Sequence, residues 1–336
     1  MSDQKGKNPW IVEKVSYLHA SNAKYRSRQL KKGYPKISPE LVNAIKNKDL
    51  ATVQKLISQK DFDPTALSPK GETALHCAAR FGTPEMLEAL IKAGVNVDTK
   101  DIQGFTPMHN AVLDLKMTET LLNAGADPTI TSRNGSTALL HACSGVPRKN
   151  QDEIIKKVLS YPGVKDQINN PGVFGYVPVF GVARNGSNEL LDAFIQAGAD
   201  VNAVSATKET ILHFAAGNKK DPNVLTNLVN RPELKDKINM QDREGMTPLH
   251  VAVQNGTPEQ VKALLQAGAD KSIKNNEGKT ARDLIEEGLK NEKDPTKKAE
   301  LEQMRKLLSP SIRDSASKVQ TDETNNRPIP GQGKGR

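Results

Sequence analysis

Aromatic residues are scarce: Phe, Tyr and Trp together make up 4% of the 336 residues, and hydrophobic residues only 36%. One large core needs bulky side chains to fill it, so an elongated fold built from many small apolar contacts suits these figures better. Cysteine is scarcer still. Cys77 and Cys143 are too few for a disulfide framework or a cysteine zinc site, which points to a reducing compartment. No apolar run approaches the roughly 18 residues of a membrane span, and the opening residues lack the apolar core of a secretory signal. A cytoplasmic chain without a transmembrane segment is expected.

Catalytic signatures are missing as well. There is no H-E-x-x-H, no G-x-S-x-G and no kinase-type set. Gly278, Lys279 and Thr280 resemble the end of a phosphate loop, but the glycine required five residues before Gly278 is Ile273. No catalytic, cofactor-binding or metal-binding residue is assigned, and an enzyme is not expected. A basic body is also lacking. Residues 1–36 hold nine Lys/Arg against two Asp/Glu, and 309–336 hold five against three, leaving 34 of each sign in 37–308. The pI near 9.3 therefore belongs to the ends, and a nucleic-acid-binding domain has no electrostatic footprint in the body.

What the sequence does contain is a period. Residues 71–78 read GETALHCA and 104–111 read GFTPMHNA; 245–252 read GMTPLHVA. Weaker copies are GSTALLHA from Gly135, GYVPVFGV from Gly175, KETILHFA from Lys208 and GKTARDLI from Gly278. A second block recurs out of phase: AGVNVD at 93–98, AGAD at 124–127, AGADVN at 197–202 and AGAD at 267–270. Phase markers fall at Thr73, Thr106, Thr137, Val177, Thr210, Thr247 and Thr280, at intervals of 33, 31, 40, 33, 37 and 33 residues.

These blocks resemble the ankyrin repeat, a turn plus two helices in about 33 residues with a T-P-L-H-x-A signature. Each signature residue has a physical task. The Thr caps a helix start, and the following Pro fits the first turn without loss. Leu75, Ala78 and Ala79 form an apolar stripe. The predicted fold is an all-α ankyrin-repeat solenoid of about eight helix-turn-helix units, including degenerate caps, with neighbours stacked into one core. The domain plan is a basic leader with a short helix at 1–36, a degenerate N-terminal capping repeat at 37–69 and repeats at 70–276. A C-terminal capping repeat at 277–309 and a disordered tail at 310–336 complete it. The long outgoing loops at 162–169 and 232–239 share the pattern P-x-V/L-K-D-x-I-N, which reads either as duplicated loop geometry or as a functional ledge.

Five of the six histidines, His76, His109, His141, His213 and His250, lie in or beside the signature. Successive units stand about 8–10 Å apart, whereas zinc needs ligands about 2 Å from one point, so the array cannot converge on a metal. The resemblance implies instead that these imidazoles bond backbone between adjacent turns. Cys143 is expected in the core, and Cys77 partly exposed on the inner helix row.

The resemblance also implies binding of a protein partner through turn tips and first-helix faces, on the concave side. The candidate residues are Arg80, Phe81, Phe105, Asn110, Phe174, Tyr176, Arg184, Phe214, Arg243 and Gln254, rich in the aromatics and arginines that anchor interfaces. Phe180 is assigned to the core. The leader, with its basic run from Lys24 to Lys32, is a solvated segment, a site for an acidic partner, RNA or anionic lipid, or a nuclear-import signal. The expected function is a monomeric, non-catalytic interaction scaffold. Its alternatives are a host-directed effector of an intracellular bacterium, translocated into a host cell and there cytoplasmic or nuclear, and an accessory or inhibitory subunit of an enzyme.

Overall fold

The computed structural model describes residues 35–145 and 149–309. The expectations for the basic leader up to residue 34, its short helix included, and for the tail at 310–336 lie outside the described residues. The described chain forms sixteen α-helices in eight consecutive pairs and clusters into two compact units that divide between Ile211 and Leu212. Among the described residues there is no strand, only isolated bridges pairing Lys36 with Leu67 and Val204 with Thr210.

The first unit holds α1 (Pro39–Lys46) with α2 (Leu50–Ile57), α3 (Ala74–Phe81) with α4 (Pro84–Lys92), and α5 (Pro107–Ala111) with α6 (Leu115–Asn123). It continues with α7 (Ala138–Cys143) and α8 (Gln151–Leu159), then α9 (Pro178–Asn185) and α10 (Asn188–Gln196). First helices pack on first helices, α1 through α9, while α2, α4, α6 and α8 form a second row. The chain division falls within α11 (Ile211–Ala215), which is followed by α12 (Asn223–Val229). The second unit ends with α13 (Pro248–Asn255), α14 (Pro258–Gln266), α15 (Ala281–Asn291) and α16 (Pro295–Leu307). Within it α13 packs on α14 and α15, and α14 on α12 and α16.

The helices begin where the capping chemistry puts them. Thr73, Thr106 and Thr247 each start a first helix in a capping box whose third helical residue is His76, His109 or His250. Two residues past each phase marker stand Leu75, Met108, Leu139, Val179, Leu212 and Leu249, all 0–1% exposed. The final repeat has Arg282 there, tied to Glu286 at 3.7 Å, which gives the terminal pair the polar character a capping repeat needs.

Between pairs the chain makes a short turn, here called a finger, closed by one backbone bond from its first to its fifth residue. Examples are Asp101 N to Phe105 O at 2.8 Å and Ser205 N to Glu209 O at 2.9 Å. Six fingers place Gly fourth, at 71, 104, 135, 175, 245 and 278, with φ between 69° and 82°. Lys208 occupies that slot in the remaining finger, at φ 63°. Six of the seven open with Ser68, Asp101, Ser132, Ser205, Asp242 or Asn275, whose side chain accepts the fifth residue's N–H. The exception opens with Gly172.

Candidate functional site

The histidine ladder fixes how fingers sit on first helices. Thr73 N donates to Nδ1 of His76 at 3.1 Å, which leaves the ring proton on Nε2, and Nε2 donates to Phe105 O in the next finger at 3.0 Å. His109 Nε2 reaches Ser136 O, His213 reaches Met246 O and His250 reaches Lys279 O, each at 3.1 Å. These four imidazoles bond backbone between adjacent turns, as the resemblance implied. Burial holds His76 and His250 below the ordinary imidazole range and pushes His109 down to about 4, with His141 adding to the shift. His141, one place out of phase, turns its Nδ1 to His109 O at 3.2 Å. Its ring closes a triangle with Phe105 and His109, with centroids 5.1–5.4 Å apart.

On the face beside this ladder, the first unit sets Arg80 between two acceptors: Glu72 at 2.9 Å and Oδ1 of Asn110 at 3.0 Å. Phe81 is 43% exposed, with Lys46 Nζ and the Arg80 guanidinium each 5.8 Å from its ring centre. Asn110 is half-buried, and its Nδ2 has no hydrogen-bond partner among the described residues. Arg184 is exposed on α9. Three residues earlier, Gly181 lets α9 approach α7 so closely that a Cβ there would lie 2.1 Å from Cys143 O. Phe174 is 50% exposed at a finger tip. Phe105 is half-buried in the histidine triangle. Tyr176 is half-buried too, its ring edge-on to the fully buried Phe180 at 5.7 Å, and burial raises its phenol well above the usual range.

In the second unit Arg243 and Gln254 are exposed, but Phe214 is only 4% exposed. Phe214 must therefore be withdrawn as a surface anchor. It stands four residues past Thr210, the register Cys77 holds after Thr73, whereas Arg80, Arg184 and Gln254 stand seven past their markers and reach solvent. Cys77 needs the same correction: it is 7% exposed rather than partly open, and burial pushes its thiol up to about 11. Cys143 is fully buried, so neither sulfur is poised as a thiolate. Among the described residues no group of three or more His, Cys, Asp or Glu is placed to hold a metal ion. Likewise, no described helix is long and apolar enough to cross a membrane.

Three exposed residues escaped the sequence reading: Leu113 after α5, Val204, and Lys208. Only Lys208 carried a signal, as the one departure from glycine in its phase.

A family model of ankyrin repeats, in three copies, matches residues 41–132 and 179–275, more than half of the chain. The chain belongs to the ankyrin-repeat family. The unmatched stretch between the two segments is where the period stretches to 40 residues and Val177 replaces Thr. Among similar ankyrin-repeat proteins, NF-kappa-B inhibitor delta of Mus musculus is 28% identical over 260 residues, covering 75% of this chain and 63% of that protein. Rabankyrin-5 of Homo sapiens is 30% identical over 252 residues, 70% of this chain and 20% of that protein. The chain thus spans less than two thirds of the length of these relatives. A solved structure titled as a predatory endopeptidase from Bdellovibrio bacteriovorus in complex with an immunity protein aligns at TM-score 0.47 and 25% identity. That alignment covers 69% of this chain and 99% of the other.

Proposed function

We propose that this ankyrin-repeat chain is a non-catalytic scaffold that binds a protein partner on the finger and first-helix side of its repeats. One observation carries this reading: where large apolar side chains meet solvent. Among the described residues the exposed ones are Phe81, Leu113, Phe174, Val204 and Leu307. Four belong to the first unit: Phe81 ends α3, Leu113 follows α5, Phe174 sits on a finger and Val204 immediately precedes one. Second helices of that unit contribute none. Single exposed apolar residues are ordinary, but a set confined to one side of a repeat array is the pattern of an interaction surface. Arg80 stands beside Phe81 on α3 and Arg184 on α9, both first helices, and arginine is enriched among interface anchors.

Affinity capture with the full chain and mass spectrometry would identify the partner, and titration then tests the face. Phe81→Ala and Arg184→Ala together are expected to weaken binding tenfold or more, about 1.4 kcal/mol, with the melting temperature unchanged because both side chains are exposed. Lys157→Ala, on the second-helix row, serves as the control and keeps full affinity. Undiminished binding by the double variant would rule this face out. The runner-up, an inhibitory or accessory subunit, draws support from the name of the relative NF-kappa-B inhibitor delta. It predicts a single dominant partner whose activity falls as the chain is added.

A further inference from the structure

Two neighbouring fingers of the first unit depart from the design the others share. The finger at 172–176 opens with Gly172 and so has no side chain to accept the fifth residue's N–H. Its third residue, Phe174, takes φ 63°, a left-handed backbone that is a genuine outlier for a bulky side chain. In the finger at 205–209, Lys208 takes φ 63° in the slot that is Gly everywhere else. The two turns are joined by Ala206 N donating to Phe174 O at 2.7 Å. Phe174 is 50% exposed, Val204 is 40% exposed, and Lys208 is exposed as well. Strained backbone of this kind persists where the surroundings impose it and clusters at ligand-contacting sites. Here the strain wins no burial: Phe174 and Lys208 both stay exposed on adjoining turns, and exposed Val204 leads into the second.

Fully exposed charge on the fingers of the first unit has one sign. The exposed charged residues there are Lys70, Arg133 and Lys208, and exposed Lys100 immediately precedes another finger. The acids there are engaged: Asp101 is buried, and Glu72 and Glu209 are half-buried. Glu72 pairs with Arg80, Asp101 is buried and accepts the N–H groups of Gln103 and Phe105, and Glu209 accepts from the Thr207 hydroxyl at 2.7 Å. The second unit's fingers are mixed, with Glu244 and Glu277 exposed beside Arg243. We propose that the adjoining fingers at 172–176 and 205–209, with Val204 leading into the second, dock an acidic protein segment that carries a large apolar side chain. The apolar side chain covers Phe174 and Val204, and its flanking carboxylates meet the cations. Val204 favours protein over nucleic acid, because an exposed aliphatic side chain can bury a leucine or phenylalanine but offers a base no stacking partner. This inference rests on the scaffold reading above and names the chemistry of the partner.

The test is selection of a randomised peptide library, displayed on phage, against the full chain. Selected peptides are expected to be enriched in Asp and Glu around one Phe, Leu or Trp, and to bind more weakly as salt rises. Synthetic copies should lose about tenfold or more in affinity for Phe174→Asn and for Lys208→Gly. Both replacements suit a positive φ, so melting temperatures should hold or rise while binding falls, which a packing role would not produce. If Phe174→Asn instead melts several degrees lower, the ring packs and Lys208→Gly decides alone. Peptides without acidic enrichment, or peptides that bind both variants at full strength and depend on Phe81 and Arg184 instead, overturn this inference and leave the scaffold reading standing. A selection that yields no binder of any composition overturns this inference, while the scaffold reading then rests on the capture experiment above. A uridine oligonucleotide that binds more tightly than the peptides, and is lost in the same variants, reassigns the fingers to nucleic acid and overturns the proposal.

Discussion

His109 donates from Nε2 to Ser136 O and accepts at Nδ1 from Thr106 N, so folding fixes it as the neutral Nε2–H tautomer. Burial is the main reason its folded value falls to about 4 from an ordinary 6.5, with His141 adding repulsion. Between those values the unfolded chain binds the proton and the folded chain does not. Stability from this group is therefore complete above pH 6.5 and is lost as pH falls toward 4, by on the order of 3 kcal/mol in all. His76 and His250 are lowered for the same reason and act with the same sign. Asp101, raised chiefly by burial, works in the opposite direction over the carboxylate range. Urea midpoints of the native chain are expected to drop between pH 7.5 and pH 5. His109→Gln should be less stable at pH 7.5 but show a shallower drop; an unchanged slope would mean that His109 already takes up the proton when folded.

At the scale of the element, the two P-x-V/L-K-D-x-I-N loops have the same exposure class at every one of ten positions, 161–170 against 231–240. Val164 and Leu234 are fully buried under short 3-10 turns, Lys165–Gln167 and Pro232–Lys237, and Ile168 and Ile238 are 3–4% exposed. Each loop ends in an asparagine that staples the next glycine turn: Asn169 binds Gly198 O and Asp200 N, and Asn239 binds Gly268 O and Asp270 N. Leu234→Ala is expected to cost about 2–5 kcal/mol and Asn239→Ala about 1 kcal/mol, while Lys235→Ala and Asp236→Ala stay near zero in stability and in partner affinity. A partner titration in which the lysine or aspartate variant loses tenfold would show that the loop is a functional ledge after all. Much of this was legible beforehand, because Thr-Pro caps and a glycine phase are local devices, and the first helices α3, α5, α7, α9, α13 and α15 each start three residues past a finger glycine. Burial of individual first-helix residues was not. Phe214 and Arg184 look equally like interface anchors in composition, and only the offset from the capping residue, four against seven, separates them. The left-handed turn at Phe174 has no signal at the residue itself; the only sequence departure in its finger is Gly172 where the others open with Ser, Asp or Asn.

At the scale of the whole molecule, repeats touch only their neighbours, so the cost of a lost contact should remain close to where it is made. Leu249 is 1% exposed on α13, which packs against α14 and α15. Its equivalents in earlier repeats, Leu75, Met108 and Leu139, are buried in the same register. Leu249→Ala removes the side chain and leaves a cavity, at about 2–5 kcal/mol. Beyond the α13–α14 pair lie only α15 and α16 among the described helices, held by Ile285, Met304, Leu308 and exposed ion pairs such as Arg305 with Glu302 at 2.6 Å. Exposed pairs contribute little, so the C-terminal pairs have few other contacts with which to absorb the loss. Hydrogen exchange on the intact chain should therefore show protection falling across α13 to α16 in the variant. Helices α1 to α6, whose neighbours within the first unit are unaltered, should keep theirs. An equal loss of protection from α1 to α16 would mean that the chain unfolds as one cooperative body and that nearest-neighbour repeat energetics do not describe it.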